Sequence, residues 1–272
     1  MADYSKIFSS KTFKFDVGPQ KKEFVLHEAA LSTLSKPLDR LLNGSMKEAK
    51  EGCVVWDDLD ESTFLRFIKW AYSGDYGTPS PDILLDASQI ATQHRASGAT
   101  TNTTDNNCVS LGSLALTEAT TTDTSGPCKR ESGKAFLENK QYSPPTPTST
   151  PRTNAEACED YSGIFLAHAR LYVLADKYDI RTLRQLALHK LWATLKDFTL
   201  YPGRVSDIAA LIMYAFQAFS ASAVDDVMCG MLADYAACIF EELVECKEWK
   251  DMIVELPVFV GCMLTKLAKR LD

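Results

Sequence analysis

From about Thr78 to Asp160 the sequence is dominated by Thr, Ser, Asn, Gly and Pro. ATTNTTDNN (Ala99 to Asn107), TEATTTDTSGP (Thr117 to Pro127) and SPPTPTSTP (Ser143 to Pro151) set its character. Such a stretch buries too little apolar area to offset the entropy of ordering its backbone, so residues 78–160 are expected to be disordered. Only its first part, DILLDASQIA (Asp82 to Ala91), has the pattern of a transient helix. A folded body must therefore be built from the chain on either side.

The side before it reads as mixed α and β. Phe13, Phe15 and Val17 alternate with Lys14 and Asp16, the pattern of a half-buried strand. Gly18-Pro19 turns the chain, and Phe24-Val25-Leu26 returns it as a hairpin. From His27, the residues Ala30, Leu31 and Leu34 fall at helical spacing. Pro37 opens a second helix with Leu38, Leu41 and Leu42 on one face, and Asn43-Gly44 stops it. Cys53 to Trp56 is a third short strand. Asp60 then caps a helix carrying Phe64, Leu65, Phe67, Ile68 and Ala71, closed at Ser73-Gly74.

The side after it is helical. Ile164, Ala167, Leu171, Leu174 and Tyr178 form one stripe, and Leu183, Leu186, Ala187 and Leu191 a second. Val205, Ile208, Ile212 and Phe219 form a third. Val224, Met228, Met231 and Tyr235 follow, with Ser222 and Asp225 placed as a capping pair. Pro257 opens a last helix with Phe259, Met263 and Leu267. The run Leu211 to Phe216 is too apolar to stand alone in water and must bury against a neighbour.

The 272 residues carry a net charge of −7, with basic residues adjacent only as pairs such as Lys21-Lys22 and Lys129-Arg130. A nucleic-acid binder needs a basic stripe to displace counterions, so none is expected as partner. No apolar run reaches membrane-spanning length and MADYSKIFSSK lacks a signal-peptide core, so a cytoplasmic or nuclear protein without membrane partner is expected. None of the eight cysteines forms C-x-x-C or stands near a histidine at zinc-ligand spacing, and no cofactor is called for. There is no G-x-S-x-G, P-loop, dinucleotide glycine fingerprint or H-E-x-x-H, so neither an enzyme nor a small-molecule substrate is expected.

Three separated segments, in order, carry a resemblance. FVLHEAALSTLSKPLDRLLNG after a strand-turn-strand, IKWAYSGDY (Ile68 to Tyr76), and RLYVLADKYDIRTLRQLALHKL (Arg170 to Leu191) are similar to the strand-His-helix junction, the aromatic helix end and the last helical hairpin of the BTB/POZ domain. The resemblance implies an α+β BTB/POZ fold, a small sheet with a cluster of helices. It would consist of residues 11–77 and 161–198, interrupted by the disordered insertion 78–160 and followed by an all-α extension, 199–272, packed on the final hairpin. Replacing a ~6-residue loop by ~80 flexible residues costs only about 2 kcal/mol, so an interrupted domain is physically admissible. A chain lacking residues 80–155 is then expected to keep its melting temperature. With no kelch, MATH or zinc-finger module, the arrangement looks like the short fungal BTB proteins.

The resemblance also implies a function: gripping other proteins without catalysis. Met46 and Glu48 fit the hydrophobic-x-Glu segment at the face by which adaptor BTB domains meet a cullin scaffold in ubiquitin ligases, although a solvated loop explains the same residues. Leu31 and Leu34 fit a homodimer patch on the first helices, although a core stripe explains them equally. BTB domains also serve transcriptional or scaffold regulators, which here would require a separate DNA-binding partner. His27 in this setting is a structural hinge between strand and helix. Ser143, Thr146 and Thr150, each followed by proline, are candidate phosphorylation sites, or simply part of an extended Pro-rich linker.

Overall fold

The computed structural model describes residues 4–84, 136 and 152–269. The fold is α+β and mostly helical. A six-residue helix, α1 (Tyr4–Ser9), leads into strand β1 (Thr12–Val17), which pairs antiparallel with β2 (Lys22–His27). Gly18, at φ 74°, makes the turn between them. Three short helices follow, α2 (Glu28–Ser32), α3 (Lys36–Asn43) and α4 (Lys47–Glu51), and carry the chain across to β3 (Cys53–Trp56). β3 pairs parallel with β1, giving the sheet order β2-β1-β3. Helix α5 (Glu61–Ser73) begins as its sequence requires: Asp60 accepts the Thr63 N–H at 2.9 Å and the Thr63 hydroxyl at 2.6 Å. Gly74, at φ 79°, ends it by bonding back to the Trp70 carbonyl.

The second stretch supplies α6 (Ser162–Lys177) and α7 (Arg181–Asp197), an antiparallel hairpin. After a 3₁₀ turn comes α8 (Val205–Phe219), and after a second 3₁₀ turn, Ser220–Ser222, come α9 (Val227–Cys238), α10 (Phe240–Leu243), α11 (Lys247–Glu255) and α12 (Pro257–Ala268). α8 packs on α6, and α9 packs on α12, so the apolar run Leu211 to Phe216 finds its cover in the final hairpin and the tail. One continuous core joins the stretches before and after the low-complexity segment. Phe15, Trp56, Phe64 and Phe67 form its aromatic centre, and Tyr178 stacks on Trp56 with centroids 4.7 Å apart.

The ends of 78–160, expected to be disordered, are ordered. Asp82–Ile83 form a strand, β4, rather than the start of a helix, and pair antiparallel with β5 (Glu159–Asp160). Asn154 is buried and exchanges two 2.7 Å hydrogen bonds with the Thr199 backbone. Glu159, also buried, accepts the Ala155 N–H at 2.7 Å and pairs with Arg152. Phe136 is buried against Tyr235, and its carbonyl accepts the Trp192 indole N–H at 3.1 Å. The rest of the segment, including His94, lies outside the described residues.

The cap of α9 also differs from expectation. Asp226, not Ser222, accepts the Cys229 N–H at 2.9 Å, while Ser222 turns back to the Phe219 carbonyl. Val224 is correspondingly exposed rather than in the core stripe. The buried contacts at 136 and 154 reverse the expectation for the shortened chain. Deleting residues 80–155 is expected to lower the melting temperature, and Phe136→Ala alone to destabilise by about 3–5 kcal/mol in denaturant melts.

Candidate interaction surface

Helix α4 exists because two glycines bracket it. At Gly44 a Cβ would lie 2.2 Å from the Arg40 carbonyl oxygen, so no side chain fits where α3 ends. At Gly52 the backbone turns left-handed, φ 67°, and its N–H bonds the Glu48 carbonyl. Between them Met46 occupies the N-terminal flank of α4, in extended conformation and 54% exposed. Glu48 sits half-buried in the first turn, where a carboxylate suits the helix dipole. Met46 therefore presents an apolar side chain to solvent beside an acid.

Leu31 does not belong to such a surface. It is fully buried in the core with Leu38 and Leu42 and cannot meet a second chain. Leu34 is half-buried against the same core, its N–H bonded to the Leu31 carbonyl at 3.0 Å. Ser143, Thr146 and Thr150 lie outside the described residues.

Two aromatic residues outside every motif of the sequence stand on α1. Tyr4 and Phe8 are 49% and 62% exposed, while Ile7 on the same helix is buried. Tyr4, Ile7 and Phe8 fall at i, i+3 and i+4, the one signal that gives the helix away. The Tyr4 hydroxyl donates to the Tyr72 carbonyl at 2.8 Å, and Phe8 meets the His27 ring edge-on at 5.3 Å. His27 in turn donates its backbone N–H to the Tyr72 hydroxyl at 3.1 Å, with its Nδ1 3.0 Å from the same oxygen. The histidine is a joint between β2, α1 and α5.

Two cavities mark the seam between the stretches. The smaller, about 330 Å³, is lined by Trp56, Asp60, Arg170, Lys177, Tyr178 and Tyr214 among others. The larger, about 380 Å³, lies where the chain leaves α5 and returns at Arg152. Behind it is a buried polar group. The Lys190 ammonium, 6% exposed, donates to Asp75 at 2.5 Å and to the Tyr76 carbonyl at 2.7 Å, and lies 4.2 Å from the Tyr76 ring centroid. The Tyr76 hydroxyl and His168 Nδ1 share a 2.8 Å hydrogen bond, and His168 Nε2 has no partner among the described residues. Burial, reinforced by the charges of Lys190 and Arg66, lowers the His168 pKa to about 3, so the ring is neutral at physiological pH. Burial pushes the Tyr76 hydroxyl well above its ordinary value.

Among the described residues no cluster of three or more His, Cys, Asp or Glu is placed to hold a metal ion, and no helix is long and apolar enough to cross a membrane. No family model matches the chain, and no curated protein matches it.

The His168 environment makes stability depend on pH with a definite sign. Its folded pKa lies below the unfolded value of about 6.5, so the neutral ring stabilises the fold above that pH and the contribution is lost as pH falls toward 3. His168→Gln is expected to flatten the fall in unfolding free energy between pH 6.5 and 3, read from denaturant melts, by up to about 1.4 kcal/mol per pH unit. Parallel curves for the two proteins would remove the histidine from the acid response.

Proposed function

We propose that the chain is a protein–protein interaction module of BTB/POZ type, without catalytic activity, which self-associates and serves as an adaptor to a cullin scaffold. The observation that carries this reading is the exposed Met46 beside Glu48 on a glycine-bracketed helical turn. An apolar anchor with a charged neighbour is the form of a small binding hot spot. Tyr4 and Phe8 add a second exposed apolar pair on α1, and aromatic side chains of that kind favour interfaces. The resemblance gains physical support from the common core of residues 11–77 and 161–198, which a BTB/POZ domain requires.

The adaptor and self-association parts are tested separately. Met46→Ala with Glu48→Ala is expected to weaken capture of a purified cullin N-terminal domain at least tenfold, roughly 1.4 kcal/mol, at unchanged melting temperature. Equal capture by both proteins rejects the adaptor role. Light scattering at tens of micromolar is expected to give the mass of a dimer, and Phe8→Asp that of a monomer; a monomeric parent protein rejects self-association.

A further inference from the structure

Residues 77–81, GTPSP, form a strap without helix or strand between α5 and β4. Its ends are pinned. Tyr76 is buried beneath the Lys190 ammonium, and Pro81 is buried as well. Between them Thr78 and Ser80 are exposed, and each precedes a proline. Proline disfavours the helical conformation in the residue before it. An exposed hydroxyl on non-helical backbone with proline next in the chain is what a proline-directed protein kinase reads.

The surroundings suit the product. Thr78 and Ser80 line the 380 Å³ cavity together with Lys69, Arg152 and Lys190, and among the described residues Asp75 is the only carboxylate in its lining. Lys190 is committed to Asp75 and the Tyr76 carbonyl. Arg152 pairs with Glu159, yet its side chain stays 61% exposed and retains donors. Lys69 pairs with no carboxylate among the described residues. Its Nζ lies 3.4 Å from where a Cβ on Gly77 would stand, one residue from Thr78.

We propose that Thr78 and Ser80 are phosphoacceptors for a proline-directed protein kinase, and that Lys69 and Arg152 hold the resulting phosphate against the strap. In the transfer, the side-chain oxygen attacks the γ-phosphorus of ATP. A new P–O bond forms, the bond to the β-phosphate oxygen breaks, ADP leaves, and the hydroxyl proton passes to the kinase's catalytic base. The phosphate brings roughly −1.5 to −2 charges and three acceptor oxygens to a rim that, among the described residues, holds more cations than carboxylates. It bridges α5, the strap and the returning chain at Arg152. The proposal is independent of what the α1–α4 surface binds.

The test uses the full chain, purified cyclin-dependent kinase and MgATP, with sites mapped by peptide mass spectrometry. A Ser143→Ala, Thr146→Ala, Thr150→Ala variant isolates the strap; Thr78→Ala with Ser80→Ala is the converse control. Phosphate is expected on Thr78 or Ser80 of the first variant, with a rise in melting temperature of about 2–4 °C that diminishes at high salt. In that variant Lys69→Ala, an exposed substitution, should leave phosphorylation intact and abolish most of the rise. Absence of phosphate from both strap residues overturns the acceptor assignment. An unchanged or lowered melting temperature after phosphorylation, or a rise that survives Lys69→Ala, overturns the proposed cradle.

Discussion

The stack of Tyr178 on Trp56 joins two residues separated by more than a hundred positions, and the fold depends on that closure. Phe64 of α5 covers Phe15 of the sheet, and Tyr178 extends that cover over Trp56 from the other side of the low-complexity segment. The entropy of closing so long a loop grows only logarithmically, about 2 kcal/mol beyond a short connection. Burying a single large apolar side chain is worth roughly 1.5–3 kcal/mol, and an aromatic pair adds about 0.5–1.5. A few residues at the seam therefore offset the interruption, and the Lys177–Asp58 and Arg170–Asp60 pairs beside them serve geometry more than stability.

Polar groups at the other end of the seam fix register. An ammonium withdrawn from water costs several kcal/mol unless its partners are well placed. Lys190 has an Asp75 carboxylate, a Tyr76 carbonyl and the Tyr76 ring within reach, all on two consecutive residues just after α5. A slide of α7 by one turn would strip it of every one. Apolar contacts tolerate such a slide more readily, so the charged residue specifies the alignment that the apolar stripes only favour. The reciprocal bonds of Asn154 with Thr199, and the Tyr161 N–H donated to Asp207 at 2.9 Å, do the same for the returning chain and the tail.

What could be read from the sequence followed from element length. The alternation Phe13-Phe15-Val17 and the stripes of α6 and α7 repeat often enough to fix their type, and the caps at Asp60 and Gly74 lie where local chemistry demands. α1 and α4 have six and five residues, too few for periodicity to declare itself. Leu31 and Leu34 show the limit of a stripe: helical spacing says that a face is apolar, not whether the covering partner is the same chain or another. Phe136 was hidden because composition averages over a window, and one aromatic side chain in a Thr- and Ser-rich stretch cannot shift the average. Ser222 and Asp226 are both plausible caps by type; only the backbone path decides which oxygen faces the Cys229 N–H.

The last turn of α5 connects the exposed aromatic pair to the seam. Tyr72 accepts the Tyr4 hydroxyl at its carbonyl, and its own hydroxyl meets the His27 backbone and ring. Four residues on, Tyr76 enters the buried group with His168 and Lys190. One short segment thus sets the position of α1 from one end and is itself held by α6 and α7 from the other. A helix end anchored at both sides in this way cannot shift at the seam without moving Tyr72, and Tyr72 cannot move without loosening Tyr4 and the His27 joint on which Phe8 rests. The placement of the N-terminal aromatic surface is in that sense decided by residues that follow the low-complexity segment, although the surface itself precedes it.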